Sequence, residues 1–139
     1  MTAEEDQQAA PLSESEIDFG ALFNLSNVGM ARADAQTGRL LQVNTAFCAI
    51  TGYTEAELLT RREDDINHPE DRDRDRRRFL ALVQGRSNSY EAEKRYQRKD
   101  GSIVWVSVTG NVVRSSAGQA LRVVFVIHDI TEHQQAKAA

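Results

Sequence analysis

The most charged stretch of the sequence, PEDRDRDRRR at residues 69–78, is the first place where chemistry could be expected. From Glu70 to Arg78 it contains four acids and five bases. This near balance argues against a nucleic-acid-binding arm, in which bases would dominate. On a helix, opposite charges would instead meet one turn apart, and the pairs so spaced are Asp71–Arg74, Asp73–Arg77 and Asp75–Arg78. The run therefore predicts a solvated helix face.

The single cysteine and the three histidines are scattered along the chain. Cys48 lies in the apolar string TAFCAI and is predicted to pack in the core as a small hydrophobic side chain. His68 precedes Pro69 at a predicted helix start, where it is expected to cap the helix or form a hydrogen bond. His128 and His133 are expected to point away from the interior. Their spacing is not typical of a metal site, so no metal is predicted.

Catalytic motifs are also missing from the sequence. It contains no nucleophile elbow, no phosphate-binding glycine loop, no dinucleotide fingerprint and no HExxH string. Asp64 and Asp65 are adjacent acids, but no motif places a partner acid or base beside them. The chain is therefore predicted not to be an enzyme.

The composition fits one globular domain. The chain has 139 residues, 40% of them hydrophobic and 27% charged. Its net charge of −4 does not favour a nucleic-acid or anionic-membrane partner. No apolar run approaches the ~18 residues of a membrane span, and the acidic, polar start MTAEEDQQAAPLSES is unlike a signal peptide. A cytoplasmic location is expected.

The elements that must position these side chains follow from hydrophobic periodicity and turn residues. In order they are a helix at 13–25, strands at 28–34 and 40–43, helices at 45–51 and from 54 to 58 or 59, a long helix at 69–84, and strands at 90–98, 102–113 and 120–129. This order predicts an α+β domain with an antiparallel sheet.

Three finer expectations concern the segments between the strands and after them. Residues 60–68 are expected to be irregular, with only Ile66 buried. The long helix is expected to bury Phe79, Leu80 and Val83. A further helix is expected to begin at Thr131, which has the capping-box spacing with Gln134.

Four strings in this order resemble a PAS sensory domain, of the subtype common in bacterial histidine kinases and cyclic-dinucleotide signalling proteins. They are VNTAFCAITGYTEAEL (43–58), NHPED (67–71), EKRYQRKDGSIVWV (93–106) and VVFVIHDITE (123–132). The resemblance implies a five-stranded antiparallel sheet around a small pocket, with helices on one face and flanking helices at both ends. The expected organisation is a disordered N-terminus (1–12), a flanking helix (13–26), the PAS core (27–130) and the start of a connector helix (131–139).

The resemblance and strand alternation together indicate which residues line the pocket. The candidates are Ala31, Ala33, Phe47, Ile50, Ile66, Leu80, Tyr96, Val106, Val108, Phe125 and Ile127. Tyr96 would offer its hydroxyl to a ligand. A filled core is favoured over an unknown small molecule. Flavin and haem are least favoured, because the segment TRREDDINHPED has no cysteine and the helix at 69–84 has no histidine.

The same resemblance implies a regulatory role. Asp129, Ile130 and Thr131 match the family's transmission motif and would relay a signal into a connector helix. The effector, a histidine kinase or a cyclic-dinucleotide enzyme such as a diguanylate cyclase, would be joined in cis or bound in trans. A homodimer is expected through the outer sheet face, with Ile17, Leu22, Phe23, Val124 and Val126 as candidate contacts. The alternatives are a ligand-free dimerisation or protein-interaction module and, less favoured, a small enzyme.

Overall fold

The computed structural model describes residue 23 and residues 27–138. Phe23 is helical and buried. The expected disorder of residues 1–12, and the rest of the flanking helix at 13–25, lie outside the described residues.

Five strands and four α-helices make up the described fold. The strands are β1 (Gly29–Asp34), β2 (Leu40–Val43), β3 (Ser89–Gln97), β4 (Ile103–Arg114) and β5 (Ala120–Asp129). The α-helices are α1 (Thr45–Thr51), α2 (Glu55–Leu58), α3 (Arg72–Val83) and α4 (Thr131–Ala138). Two 3-10 helices precede α3, at Glu63–Ile66 and at Pro69–Asp71. The predicted order of the strands and helices from β1 onward is confirmed.

The strands form one antiparallel sheet in the order β2-β1-β5-β4-β3. Alternate residues of β5 are buried, and the same alternation runs along β1 and β4. The inward side chains pack with those of the helical segment in one core. The predicted α+β fold with a five-stranded antiparallel sheet is thus confirmed.

The helical excursion between β2 and β3 covers both edges of the sheet. At the β2 edge, the N–H of Leu40 donates to the carbonyl of Arg61 over 2.8 Å. At the β3 edge, the N–H of His68 donates to the carbonyl of Arg95 over 2.9 Å. Edge strands with free N–H and C=O groups can pair with other chains. These contacts occupy part of each edge and so reduce the number of free groups.

The predicted helix starts at Asn44 and Thr54 are confirmed. The Oδ1 atom of Asn44 accepts a hydrogen bond from the N–H of Phe47 over 3.0 Å. Thr54 and Glu57 form both bonds of a capping box. The first of these helices ends at Gly52, whose φ of 77° is the left-handed conformation that glycine adopts without steric cost.

The prediction that Leu80 lies in the core is wrong. Its side chain is 49% exposed, whereas Leu82 is fully buried. The buried stripe of α3 and the 3-10 turn before it runs through Asp71, Asp75, Phe79 and Leu82. These positions are three or four residues apart, which turns Leu80 outward.

The prediction for the charge run is also wrong in part. Of the three expected ion pairs, only Asp71–Arg74 forms among the described residues. Asp71 and Asp75 are buried rather than solvated, because each is bonded to a basic side chain of β3. The charged run therefore presents one face to solvent and contributes two acids to the interior.

Residues 60–68 are more ordered than expected. Glu63, Asp64 and Asn67 are buried together with Ile66, in and after the 3-10 helix at Glu63–Ile66. The expectation that only Ile66 is buried is wrong, because the partners of these polar residues come from distant parts of the chain.

Candidate sensory core and exit helix

Most of the predicted pocket residues do line the interior. Those that are buried are Ala31, Ala33, Phe47, Ile66, Tyr96, Val106, Val108, Phe125 and Ile127. Ile50 is half-buried against this cluster. Leu80 is the exception described above. The set is a packed core, with Phe47 and Tyr96 in edge-to-face contact at 6.0 Å between ring centroids.

A cluster of charged side chains lies within this core, and we call Glu63, Asp75, Lys94 and Tyr96 the buried charge cluster. The Nζ atom of Lys94 lies 2.7 Å from Oε2 of Glu63 and 2.6 Å from Oδ2 of Asp75. The hydroxyl of Tyr96 donates to the same Oε2 over 2.6 Å. The side chains of Glu63, Asp75 and Lys94 are at most 4% exposed. Buried charges require such pairing.

Three separate elements supply the buried charge cluster. Glu63 comes from the first 3-10 helix, Asp75 from α3, and Lys94 and Tyr96 from β3. Lys94 and Tyr96 are two residues apart and share the inner face of the strand. The cluster therefore joins the helical layer to the sheet.

The electrostatics of the two acids differ. Burial and the negative charge of Asp75 together raise the pKa of Glu63 to about 7, against the opposing ammonium of Lys94. Burial also acts on Asp75, but there the charge of Lys94 and its hydrogen bond prevail and lower the pKa. Burial, followed by the charge of Glu63, raises the pKa of Tyr96 well above its ordinary value.

A small cavity adjoins the buried charge cluster. Its volume is about 10 Å³, roughly the space needed for one water molecule. Its walls include Arg62, Glu63, Asp75, Phe79 and Phe125. The Oδ1 atom of Asp75 is buried and has no hydrogen-bond partner. Such an orphaned acceptor is costly in a core.

Sequence reasoning missed this cluster apart from Tyr96. Tyr96 was expected to point inward with a polar tip, and its hydroxyl is indeed buried and bonded to Glu63. A signal for Lys94 was present, since strand alternation puts it on the same face as Tyr96. Glu63 and Asp75 gave no such signal, because their burial depends on Lys94, which is 31 and 19 residues away along the chain.

The exit from the sheet is held by the predicted transmission residues. Oγ1 of Thr131 accepts a hydrogen bond from the N–H of Trp105 over 3.1 Å. The N–H of Ile130 donates to the carbonyl of Trp105 over 2.9 Å. Asp129 accepts from the N–H of Thr131 over 2.9 Å. The start of α4 is thereby fastened to β4.

The expected capping box at Thr131 is wrong. The N–H of Gln134 donates to the carbonyl of Ile130, as in an ordinary helix turn. The hydroxyl of Thr131 is engaged by the backbone of Trp105 instead. A neighbouring strand offers that hydroxyl a backbone partner that the sequence spacing alone does not reveal.

A second ion-pair cluster lies beside this exit. The guanidinium of Arg95 bonds the carboxylate of Asp71 through two of its nitrogens, at 3.2 and 3.0 Å. Burial favours the neutral acid, yet the hydrogen bonds from Arg95 hold the pKa of Asp71 below its ordinary value. The same guanidinium lies 5.7 Å from the ring centroid of Trp105. Arg95 thus links the second 3-10 helix to Trp105, the strand residue that holds α4.

The remaining candidates fall on the surface or outside the described residues. Val124 and Val126 are half-buried on the outer sheet face, and Phe23 is 3% exposed within the single chain. Ile17 and Leu22 lie outside the described residues. Near Val124 the outer face has a shallow concavity of about 240 Å³, lined by Arg32, Val113, Arg122 and Val124.

The cysteine and the histidines stand largely as expected. Cys48 is half-buried against the core, and burial raises the pKa of its thiol. Nδ1 of His68 accepts from the N–H of Glu70 over 3.2 Å, which confirms a capping role. His128 and His133 are exposed. Within residues 23 and 27–138, no group of His, Cys and acids is arranged to hold a metal ion.

Comparison with known proteins identifies this architecture. A family model described as the PAS fold matches residues 40–127. The chain belongs to the PAS family. A PAS domain from Colwellia psychrerythraea superimposes with a TM-score of 0.76 at 17% identity, over 84% of this chain and 97% of that one. That structure supports the PAS fold, which is a sensory rather than a catalytic fold.

Two relatives with higher identity are signalling enzymes. The chain is 35% identical over 121 residues to the probable diguanylate cyclase DgcE of Escherichia coli, covering 87% of this chain and 11% of the relative. It is 30% identical over 131 residues to the sensor histidine kinase TmoS of Ectopseudomonas mendocina, covering 94% of this chain and 13% of the relative. The PAS subtype expected from the sequence is confirmed, and the chain spans only a small part of each relative.

Hydropathy adds one further finding. Across the described ranges, none of the helices combines the length and the apolar character needed to cross a membrane.

Proposed function

We propose that this chain is a PAS sensory module that dimerises and relays a signal to a C-terminal effector of the histidine kinase or diguanylate cyclase kind. The observation that carries the proposal is the junction between Trp105 and Thr131, where the exit helix is hydrogen-bonded to the central part of the sheet. The names of the relatives support the choice of effector.

The relay would run from the helical layer through the sheet to α4. Arg95 contacts both Asp71 and the ring of Trp105, and Trp105 holds Ile130 and Thr131. A change in the helical layer would therefore alter the strand that fastens the exit helix. Output would be a shift between two populations of the exit helix, docked and released.

The second candidate is a dimerisation module without an organic ligand. The cavity beside the buried charge cluster supports it, because its volume of about 10 Å³ leaves no room at that place for flavin, haem or most metabolites. On this proposal the core is filled by its own side chains, and regulation depends on partners rather than on a cofactor.

The relay is tested by Thr131→Val, which keeps the shape of the side chain and removes the hydroxyl. We expect faster amide hydrogen exchange in residues 131–138, since one of the bonds that dock α4 is lost. Thr131→Ser, which keeps a hydroxyl, is the matched control and should remain close to wild type. Equal exchange in wild type and Thr131→Val would contradict the relay through this junction.

A further inference from the structure

The buried charge cluster has an uneven charge balance. Glu63 and Asp75 are two carboxyl groups, and Lys94 is the ammonium that bonds both of them. With all three ionised, the core would carry one net negative charge. An uncompensated buried charge is costly enough that a titratable group commonly binds a proton instead.

The hydrogen bonds around the two acids are equally uneven. Glu63 accepts from Lys94 on both of its oxygens and from the hydroxyl of Tyr96. Asp75 accepts on Oδ2 from Lys94 and from the amide of Asn67, while its buried Oδ1 has no donor. The two carboxyl groups share one donor, because Nζ of Lys94 lies 2.7 Å from Oε2 of Glu63 and 2.6 Å from Oδ2 of Asp75. One proton held by this pair would cancel the net negative charge of the cluster.

We propose that Glu63 and Asp75 together bind one proton, which makes the proton a ligand of this domain. The small size of the adjacent cavity is consistent with so small a ligand. The use of this proton as a signal rests on the proposed sensory function, whereas its binding does not.

The surroundings place the proton on Glu63 near neutral pH. Burial and the charge of Asp75 raise the pKa of Glu63 to about 7, against the opposing charge of Lys94 and the hydrogen bond from Tyr96. The phenol of Tyr90, which also faces the cluster from β3, stays neutral, because burial raises its pKa well above the ordinary value.

The other charged groups of this region are paired with one another. Asp64, the chain neighbour of Glu63, is bonded to Arg62 and to Arg76 over 3.0 Å each. The charge of Arg78, on α3, acts to lower the pKa of Tyr90, but burial outweighs it. The unbalanced charge therefore belongs to the buried charge cluster.

Loss of the proton would act where the helical layer meets the sheet. It would add a negative charge between the first 3-10 helix, α3 and β3. β3 pairs with β4 along its whole length, and β4 carries Trp105, which fastens the exit helix. Proton release would thus change the charge beside β3, and β3 and β4 are the strands of the proposed relay.

The test is a pH titration of the whole chain by NMR, with ¹³C-labelled glutamate side-chain carboxyl groups assigned through bonds. We expect the Glu63 signal to titrate with a midpoint of about 7 instead of the ordinary 4.5. Glu91→Gln removes an exposed acid of β3, the strand that carries Lys94. It is the control and should leave the Glu63 midpoint unchanged. A Glu63 midpoint at or below 4.5 would overturn the proposal.

Asp75→Asn tests whether the two acids act as a pair. Without the negative charge of Asp75, the ammonium of Lys94 stabilises the ionised form of Glu63 alone. The midpoint of the Glu63 titration should therefore move to lower pH. An unchanged midpoint would overturn the shared site. The wild-type titration needs no variant, and it remains decisive if Asp75→Asn fails to fold.

The pH dependence of stability gives an independent check that folding raises the pKa of Glu63. Between pH 4.5 and about 7, folded Glu63 holds a proton that the unfolded chain has released. The free energy of unfolding should therefore fall as pH rises through this window, and it should fall less in Glu63→Gln. An equal or steeper fall in Glu63→Gln would overturn the proposal.

The outcomes separate this site from the proposed function. An ordinary Glu63 titration with a released exit helix in Thr131→Val would reject the proton site and leave the relay standing. A neutral midpoint with no effect of Thr131→Val would reject the relay and leave the proton site standing.

Discussion

Lys94 is the single side chain on which the interior of this domain most depends. It is almost fully buried and bonds Glu63 and Asp75 at 2.9 Å or less, so it is the cation on which both buried acids depend. Removing one partner of a buried ion pair leaves an uncompensated charge and typically costs about 3–5 kcal/mol. Replacing the whole set by neutral residues of similar shape costs far less.

At this scale we predict that Lys94→Met lowers the free energy of unfolding by about 3–5 kcal/mol at neutral pH, measured by urea denaturation. The triple variant with Glu63→Gln and Asp75→Asn should recover most of the loss. Lys99→Met, which removes a surface lysine bonded to Glu57, should have a much smaller effect. A loss in Lys94→Met no larger than in Lys99→Met would contradict this account.

Among the elements, helix α1 shows how one polar residue joins two parts of the fold. Oδ1 of Asn44 accepts from the N–H of Phe47 and from that of Met30. Its Nδ2 donates to the carbonyl of Val28 over 2.9 Å. Asn44 is therefore both the cap of α1 and a link to the start of β1, in a position that is 1% exposed.

We predict that Asn44→Ala lowers the free energy of unfolding by about 2–4 kcal/mol, because the cap of α1 is lost and the partly buried N–H of Met30 loses its acceptor. Thr54→Ala removes the exposed cap of α2 and should cost only about 1 kcal/mol. Both losses are measured by urea denaturation. Equal losses would show that the link from Asn44 to β1 contributes nothing.

For the whole molecule, the open question is what meets the outer face of the sheet. Val124 and Val126 are half-buried there in the single chain, and Arg32, Val113 and Arg122 surround the concavity beside Val124. A two-fold dimer would bring the same patch from each copy together. Phe23 is already buried within the chain, so Val124 is the better residue for testing a dimer.

We predict that the wild-type chain sediments as a dimer at micromolar concentration and that Val124→Glu shifts it toward the monomer, since a charge would be desolvated twice in the interface. Leu80→Glu, which alters an exposed apolar residue of the helical layer, is the matched control and should remain dimeric. A monomeric wild type would remove the homodimer from the proposed function.

What the sequence determined by itself was the order and kind of the elements. Alternation in β5, the caps at Asn44 and Thr54, and the turn at Gly52 depend on residues that are close along the chain, so local patterns were sufficient. This alternation, together with the resemblance to the PAS fold, correctly placed Phe125 and Ile127 in the core. Local hydrogen bonds and strand geometry need no knowledge of distant partners.

The burial of the charged residues depends on contacts that form only when distant parts of the chain come together. Asp75 has the sequence pattern of a solvated helix position, but in the fold it is bonded to Lys94. Thr131 has the pattern of a helix cap, but in the fold its hydroxyl accepts a hydrogen bond from the backbone of Trp105. The prediction for Leu80 is wrong because apolar spacing alone does not show which side of α3 faces the core after the preceding 3-10 turn. The buried charge cluster joins three elements, and its acids are balanced by a residue 31 and 19 positions away, a distance over which no local pattern carries information.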